Sequence, residues 1–268
     1  MTPPTIVGNW KMHPLVVQEA TSLAEALCDS TDMASAIQSG VRVILCPPFT
    51  ALHAVHTALE ASKVNVGRTA TSTSGSISLG AQNCHHDDSG AYTGEISAAM
   101  LADLGCSHVI VGHSERRRYQ FETDELIGLK ALRAVAHNLT PIICIGESLD
   151  ERLTKHTIDV LRSQIDGVAS TAGLETLTKC IIAYEPVWAI GTGQAASVSQ
   201  VDDTHNAIKR HLLSTHGLDL RVLYGGSVTA ENAEDLLKLS SVNGALVGGA
   251  SLKAKQFADI VRSAAVRA

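Results

Sequence analysis

Eight short, nearly continuous apolar runs recur along the chain: TIVGNW from Thr5, VRVILCPP from Val41, ISLGAQN from Ile77, HVIVGH from His108, PIICIGE from Pro141, CIIAYEP from Cys180, RVLYGG from Arg221 and GALVGG from Gly244. Runs of this length read as strands, and an apolar residue at nearly every position means that both faces of each strand are covered. Their starts lie 23 to 41 residues apart. That interval leaves room for a loop and a helix, which parallel strands need to bring the chain back to the same end of the sheet. Eight such units predict an α/β fold, a single (β/α)8 barrel domain over residues 1–268. An open doubly wound sheet ranks second, since it would usually need fewer strands and a break in their order.

The stretches between the runs carry helical signals. After Thr123, a candidate N-cap, Leu126, Ile127, Leu129, Leu132, Val135 and Ala136 fall at helical spacing, and a polar helical run continues from Ser197 to Gly217. Polar residues gather at the C-terminal ends of the strands: Asn9 and Lys11, Gln82 and Asn83, His113 and Glu115, Glu147, Glu185, Ser227. A barrel collects those ends on one face, where chemistry is done. The Ser/Thr/Gly-rich segment NVGRTATSTSGS, residues 65 to 76, lies between a helix and the third strand and reads as a solvated insertion on the opposite face.

Charge and cysteine usage narrow the function classes. With 21 Lys and Arg spread along a chain of net charge -6, no basic stripe is present and nucleic acid is not an expected partner. No apolar stretch approaches the ~20 residues that span a bilayer, and the start MTPPTIVGNW has no export pattern, so a cytoplasmic protein without membrane attachment is expected. The six cysteines show no paired spacing and read as reduced thiols. In CHHDD, residues 84 to 88, adjacent ligands in a loop make poor coordination geometry, and no metal is expected.

The stretch AYEPVWAIGTG, residues 183 to 193, sets a carboxylate against a proline before an apolar run. A strand-end Glu is most often solvated or ion-paired, but Pro186 biases Glu185 toward an extended conformation and so positions it as a candidate general base. Val187 to Ile190 are ill-suited to permanent exposure, and Gly191 and Gly193 permit hinge freedom, so 186–193 reads as a closing lid. His113 falls at a strand end and a helix start, where positive charge is disfavoured and a neutral N–H donor results. Lys11 is a cation aimed into the mouth. The glycine pairs Gly225-Gly226 before Ser227 and Gly248-Gly249 follow the last two strands, where backbone N–H groups approach a phosphate closely.

Taken in order, GNWKM (8 to 12), GAYTGEIS (90 to 97), VGHSERR (111 to 117), YEPVWAIGTG (184 to 193), YGGSV (224 to 228) and ALVGGASL (245 to 252) resemble the triosephosphate isomerase family from end to end of the chain. The resemblance implies a TIM barrel that interconverts dihydroxyacetone phosphate and D-glyceraldehyde 3-phosphate without a cofactor. It implies Glu185 as base, His113 as electrophile and Lys11 as the cation beside the developing enediolate. It further implies Glu115 as the partner of Lys11, and substrate contacts from Asn9, Trp10, Lys11, Gly191, Ser227, Gly248 and Gly249. The loop CHHDDSGAYTGE, residues 84 to 95, resembles the one that reaches a second subunit with Thr93 near the partner's site, which implies a homodimer.

Four positions depart from the family's usual text. His13 stands for Asn, Gln120-Phe121 for Phe-Gly, Thr229-Ala230 for a Lys-Pro-like pair, and residues 65 to 76 lengthen a loop. Phe121 bears most on the site, because a backbone tuned to glycine could shift the helix after His113. Two other functions compete. Gly191-Thr192-Gly193-Gln194-Ala195-Ala196 satisfies the GxGxxA pattern of a nucleotide-dependent oxidoreductase, but Pro186 separates it from its strand and no acid follows at the required distance. A phosphate-binding barrel without activity is the other, and intact Glu185, His113 and Lys11 argue against it.

Overall fold

In the computed structural model, which describes residues 3–62, 64, 66–67, 75–190 and 196–265, eight parallel strands close into a barrel in sequence order. They are β1 (Thr5–Asn9), β2 (Arg42–Cys46), β3 (Ser76–Ala81), β4 (His108–Val111), β5 (Thr140–Ile145), β6 (Ile181–Tyr184), β7 (Val222–Tyr224) and β8 (Gly244–Val247). β1 pairs with β2 on one side and β8 on the other, so no edge is left open.

Alternation along the strands divides the core in two. Val7, Ile44, Cys46, Ile110, Ile142, Cys144, Ile181, Ala183, Leu223 and Leu246 fill the barrel interior. The intervening positions, such as Ile6, Val43, Val109, Ile143, Ile182 and Val222, face the helical ring. A strand with both faces buried favours apolar residues at most positions, which is why the eight runs read as nearly continuous. The six cysteines are free and buried.

The helical signals correspond to helices with the expected caps. Thr123 accepts from the Leu126 N–H at the start of helix Asp124–Ala136. Ser197 and Gln200 form a reciprocal capping box on helix Val198–His216, which ends on Gly217 at φ 70°. Of the insertion, residues 65 and 68–74 lie outside the described residues; Val66 bridges Ile77 and the Gly67 N–H donates to the Ile77 carbonyl, beside the start of β3.

Phe121 keeps the backbone that a glycine would have. It sits at φ 55°, and helix Ser114–Tyr119 is intact before it. Its side chain is 82% exposed. A non-glycine residue in the left-handed region costs about 1–2 kcal/mol, and here little buried contact offsets it. Phe121→Gly should therefore raise the thermal midpoint by roughly 2–4 °C, as expected for about 1 kcal/mol in a chain of this size. A lower midpoint by calorimetry would show that the ring contributes more than its exposure indicates.

Candidate active site

The inward period of two carries through the strand ends to the mouth. Val7 is followed by Asn9, Ala183 by Glu185, Leu223 by Gly225, and Leu246 by Gly248. Asn9, Glu185, Gly225, Leu246 and Gly248 line a cavity of about 470 Å³ together with Lys11, His113, Gly226, Ser227 and Gly249. The side chain of Trp10, expected as a substrate contact, is fully buried in the cluster that faces the helical ring.

His113 caps helix Ser114–Tyr119, its Nδ1 accepting from the Glu115 N–H at 3.2 Å. Its Nε2 lies 2.9 Å from Glu185 Oε1, and Glu185 Oε2 accepts from the Ser114 N–H at 2.8 Å. Both side chains are buried. Burial disfavours the Glu185 carboxylate, but His113 and the Ser114 N–H outweigh it and leave its pKa below the ordinary carboxylate value. Burial also opposes charge on the imidazole; Glu185 outweighs that in turn, and the His113 pKa rises while the two touch. The Glu115 N–H occupies the Nδ1 lone pair, so the neutral ring carries its proton on Nε2 and donates to Glu185. Burial and the helix N-terminus both act against positive charge on His113.

Lys11 completes this side. Its Nζ pairs with Glu115 Oε1 at 2.5 Å, as the resemblance implied. Its backbone stands at φ 54°, a strained conformation held by two hydrogen bonds: its N–H donates to Asn9 Oδ1 at 3.0 Å, and Gln82 Nε2 donates to its carbonyl at 2.7 Å. Gln82 was legible only as a polar strand-end residue; its role as the prop of Lys11 depends on β3 reaching the loop after β1.

The opposite side of the cavity is mostly backbone. A Cβ on Gly225 would come within 2.9 Å of Glu185 Cγ, and one on Gly226 within 2.2 Å of Tyr224 Oη, so these glycines make room for the carboxylate and for their own turn. Asn232 holds the Ser227 loop, its Nδ2 donating to the Ser227 carbonyl at 3.1 Å and its Oδ1 accepting from the Thr229 N–H at 2.8 Å. Lys253 adds a cation to the lining. Neither residue stood out by spacing, because each acts from beyond the glycine loop that it supports.

Of the lid stretch, Gly191 to Gly193 lie outside the described residues. Val187–Ala189 form one 3-10 turn. Trp188 Nε1 donates to Glu147 Oε1 at 2.9 Å, and the same oxygen receives Tyr184 Oη at 3.1 Å and Arg152 Nη1 at 3.0 Å. Ala189 is buried and Trp188 half-buried, so the apolar run is stowed against Glu147, while Ile190 lines the cavity. Elsewhere, His85, His86 and Asp87 bring donor atoms together, but the Asp87 N–H already occupies His85 Nδ1 at 3.0 Å.

The chain also matches known proteins along nearly its whole length. The sequence profile of the triosephosphate isomerase family matches residues 4–264. The chain is similar to proteins named triosephosphate isomerase from Geotalea uraniireducens, 44% identical over 98% of this chain and 99% of the relative; from Nitrosococcus oceani, 43% identical over 98% and 100%; and from Alkaliphilus oremlandii, 42% identical over 97% and 99%.

Proposed function

Since the chain belongs to the triosephosphate isomerase family, we propose that its barrel mouth interconverts dihydroxyacetone phosphate and D-glyceraldehyde 3-phosphate, with Glu185, His113 and Lys11 as the catalytic residues. The reaction is an aldose–ketose isomerisation, as in glycolysis. The observation that carries the residue assignment is the contact of His113 Nε2 with Glu185 Oε1 at 2.9 Å, inside the cavity that Lys11 also lines. A substrate carbonyl that takes the Nε2–H releases Glu185 from one of the two hydrogen bonds that depress its basicity. Glu185 then removes a proton from the carbon beside the carbonyl, and the electron pair moves onto the carbonyl oxygen. The His113 N–H and the Lys11 ammonium take up the resulting enediolate charge; His113 gives its Nε2 proton to the former carbonyl oxygen and takes the hydroxyl proton from the neighbouring oxygen, and Glu185 returns the carbon proton to the neighbouring carbon. With two donors supplied by the chain, the step requires no metal, nucleotide or redox cofactor. Asn9, Ser227, Gly248 and Gly249 contact the substrate, the glycine loops holding its phosphate.

The test is a coupled isomerase assay on purified protein treated with a chelator. Sustained turnover of either triose phosphate is expected. No turnover by folded protein would overturn the assignment in favour of phosphate binding alone.

A homodimer is part of the same reading. Met12, Leu15, Val16 and Val17 expose 82, 84, 54 and 45% of their surface in one run directly after Lys11, an apolar face that a lone subunit would leave in water. The loop after β3, closed at its base by the His85 N–H on the Ile96 carbonyl, exposes Tyr92 and Thr93. Light scattering should give a dimer mass at micromolar concentration, and Leu15→Glu a monomer with impaired turnover, because Lys11 heads the same loop. An active monomer of the unaltered chain would refute this. Buried reduced thiols support a cytoplasmic location, and among the described residues no helix is long and apolar enough to cross a membrane.

A further inference from the structure

Away from the mouth, three side chains converge between the helices Thr157–Ala172 and Val198–His216. Asp166 Oδ1 lies 2.7 Å from His211 Nε2 and 2.7 Å from His216 Nε2. The His211 and His216 side chains are 8% and 11% exposed, while Asp166 is 47% exposed. None of the three lines the catalytic cavity. Two buried imidazoles therefore aim the same ring nitrogen at one carboxylate that faces solvent.

We infer that Asp166, His211 and His216 form a binding site for a borderline divalent transition metal of the Zn²⁺ type. The donor set is two imidazole nitrogens and one carboxylate oxygen, with a fourth direction open to water past the exposed Asp166. Hard cations prefer all-oxygen shells, whereas imidazoles select Zn²⁺, Co²⁺ and their neighbours. The donor atoms lie within 4.8 Å of one another. Metal–ligand bonds of about 2.0–2.1 Å in a tetrahedron separate the donors by about 3.3 Å, so small side-chain adjustments bring the three onto one ion.

The surroundings supply the required tautomer. His211 Nδ1 lies 3.2 Å from Thr215 Oγ1. With Nε2 donating to Asp166, that hydroxyl donates to Nδ1. On coordination the ring proton moves from Nε2 to Nδ1 through solvent, the Nε2 lone pair binds the ion, and Nδ1–H donates to Thr215 Oγ1. A hydrogen bond on the distal nitrogen is the usual support of a metal-binding histidine. By contrast, His85 and His86 stack at 4.2 Å and His85 Nδ1 is already occupied. A bound ion would join the helices that follow β5 and β6, one of them the helix that begins just after the lid stretch.

Co²⁺ titrated into chelator-treated protein tests this independently of the isomerase reading, through visible absorption and thermal midpoint. One saturable site is expected, displaced by Zn²⁺ and accompanied by a higher midpoint. Asp166→Asn, which keeps an acceptor for both imidazoles, and His216→Ala should each abolish the absorption change. Thr215→Val should weaken Co²⁺ binding about 10- to 100-fold. Unchanged isomerase rates would certify folded variants. Absence of saturable binding, binding indifferent to both ligand substitutions, or binding lost instead in His85→Ala would overturn the assignment.

Discussion

Glu185→Gln should lower kcat by about 10² to 10⁴ and leave KM near its original value, the span usual for losing a positioned general base. The substitution keeps the shape and one oxygen to accept the Ser114 N–H, which now holds Glu185 at 2.8 Å. It removes the proton-accepting carboxylate while leaving Lys11 and the glycine loops in place. Because Glu185 lies between His113 and the space that Gly225 leaves open, a bulkier replacement would mix steric and chemical effects. A kcat within a few-fold of the starting value, in protein with unaltered circular dichroism, would remove Glu185 from the base role.

Replacing Val187 to Ile190 by a short glycine link should slow isomerisation and open a side reaction. An enediolate phosphate can expel its phosphate by breaking the adjacent C–O bond, so a site that forms one benefits from a cover that excludes water and holds the phosphate still. Ile190 lines the cavity, and Trp188 rests on Glu147 with the Arg152 guanidinium over its ring. Without the cover, Glu185 still takes a proton, but the intermediate is poorly held. Methylglyoxal and free phosphate should therefore appear beside the aldose product in a single reaction. Loss of turnover with no rise in elimination would mean that the segment serves to orient Glu185 rather than to shield the intermediate.

The two predictions differ in how much of their basis is visible in the chain. That a carboxylate ends β6 and is followed by proline is plain from residues 183 to 186. That its two oxygens already accept hydrogen bonds from His113 and Ser114, so that substrate entry must rearrange them, is a fact of how β4 and β6 lie across the barrel. Glu147 makes the same point. By position it was one more polar strand end, yet its buried carboxylate gathers Tyr184, Arg152 and Trp188.

Trp10 shows how neighbours in a motif diverge. It stands in GNWKM between Asn9 and Lys11, which line the cavity, yet its own side chain is buried toward the helices. Phe121 errs in the other direction. Its side chain departs from the family text, but the left-handed backbone at that position persists.

By itself, the sequence determined the eight strands, the barrel order, the cap at Thr123, and the set of chemical groups at the strand ends, because each depends on local periodicity or on the length of a connection. Only the tertiary structure decided which of those groups touch: His113 on Glu185, Gln82 under Lys11, Asn232 behind Ser227, and Asp166 between two histidines of another helix. Such contacts depend on strand register, barrel closure and helix packing, which bring distant residues within hydrogen-bond reach and leave no mark in the spacing of the residues they join.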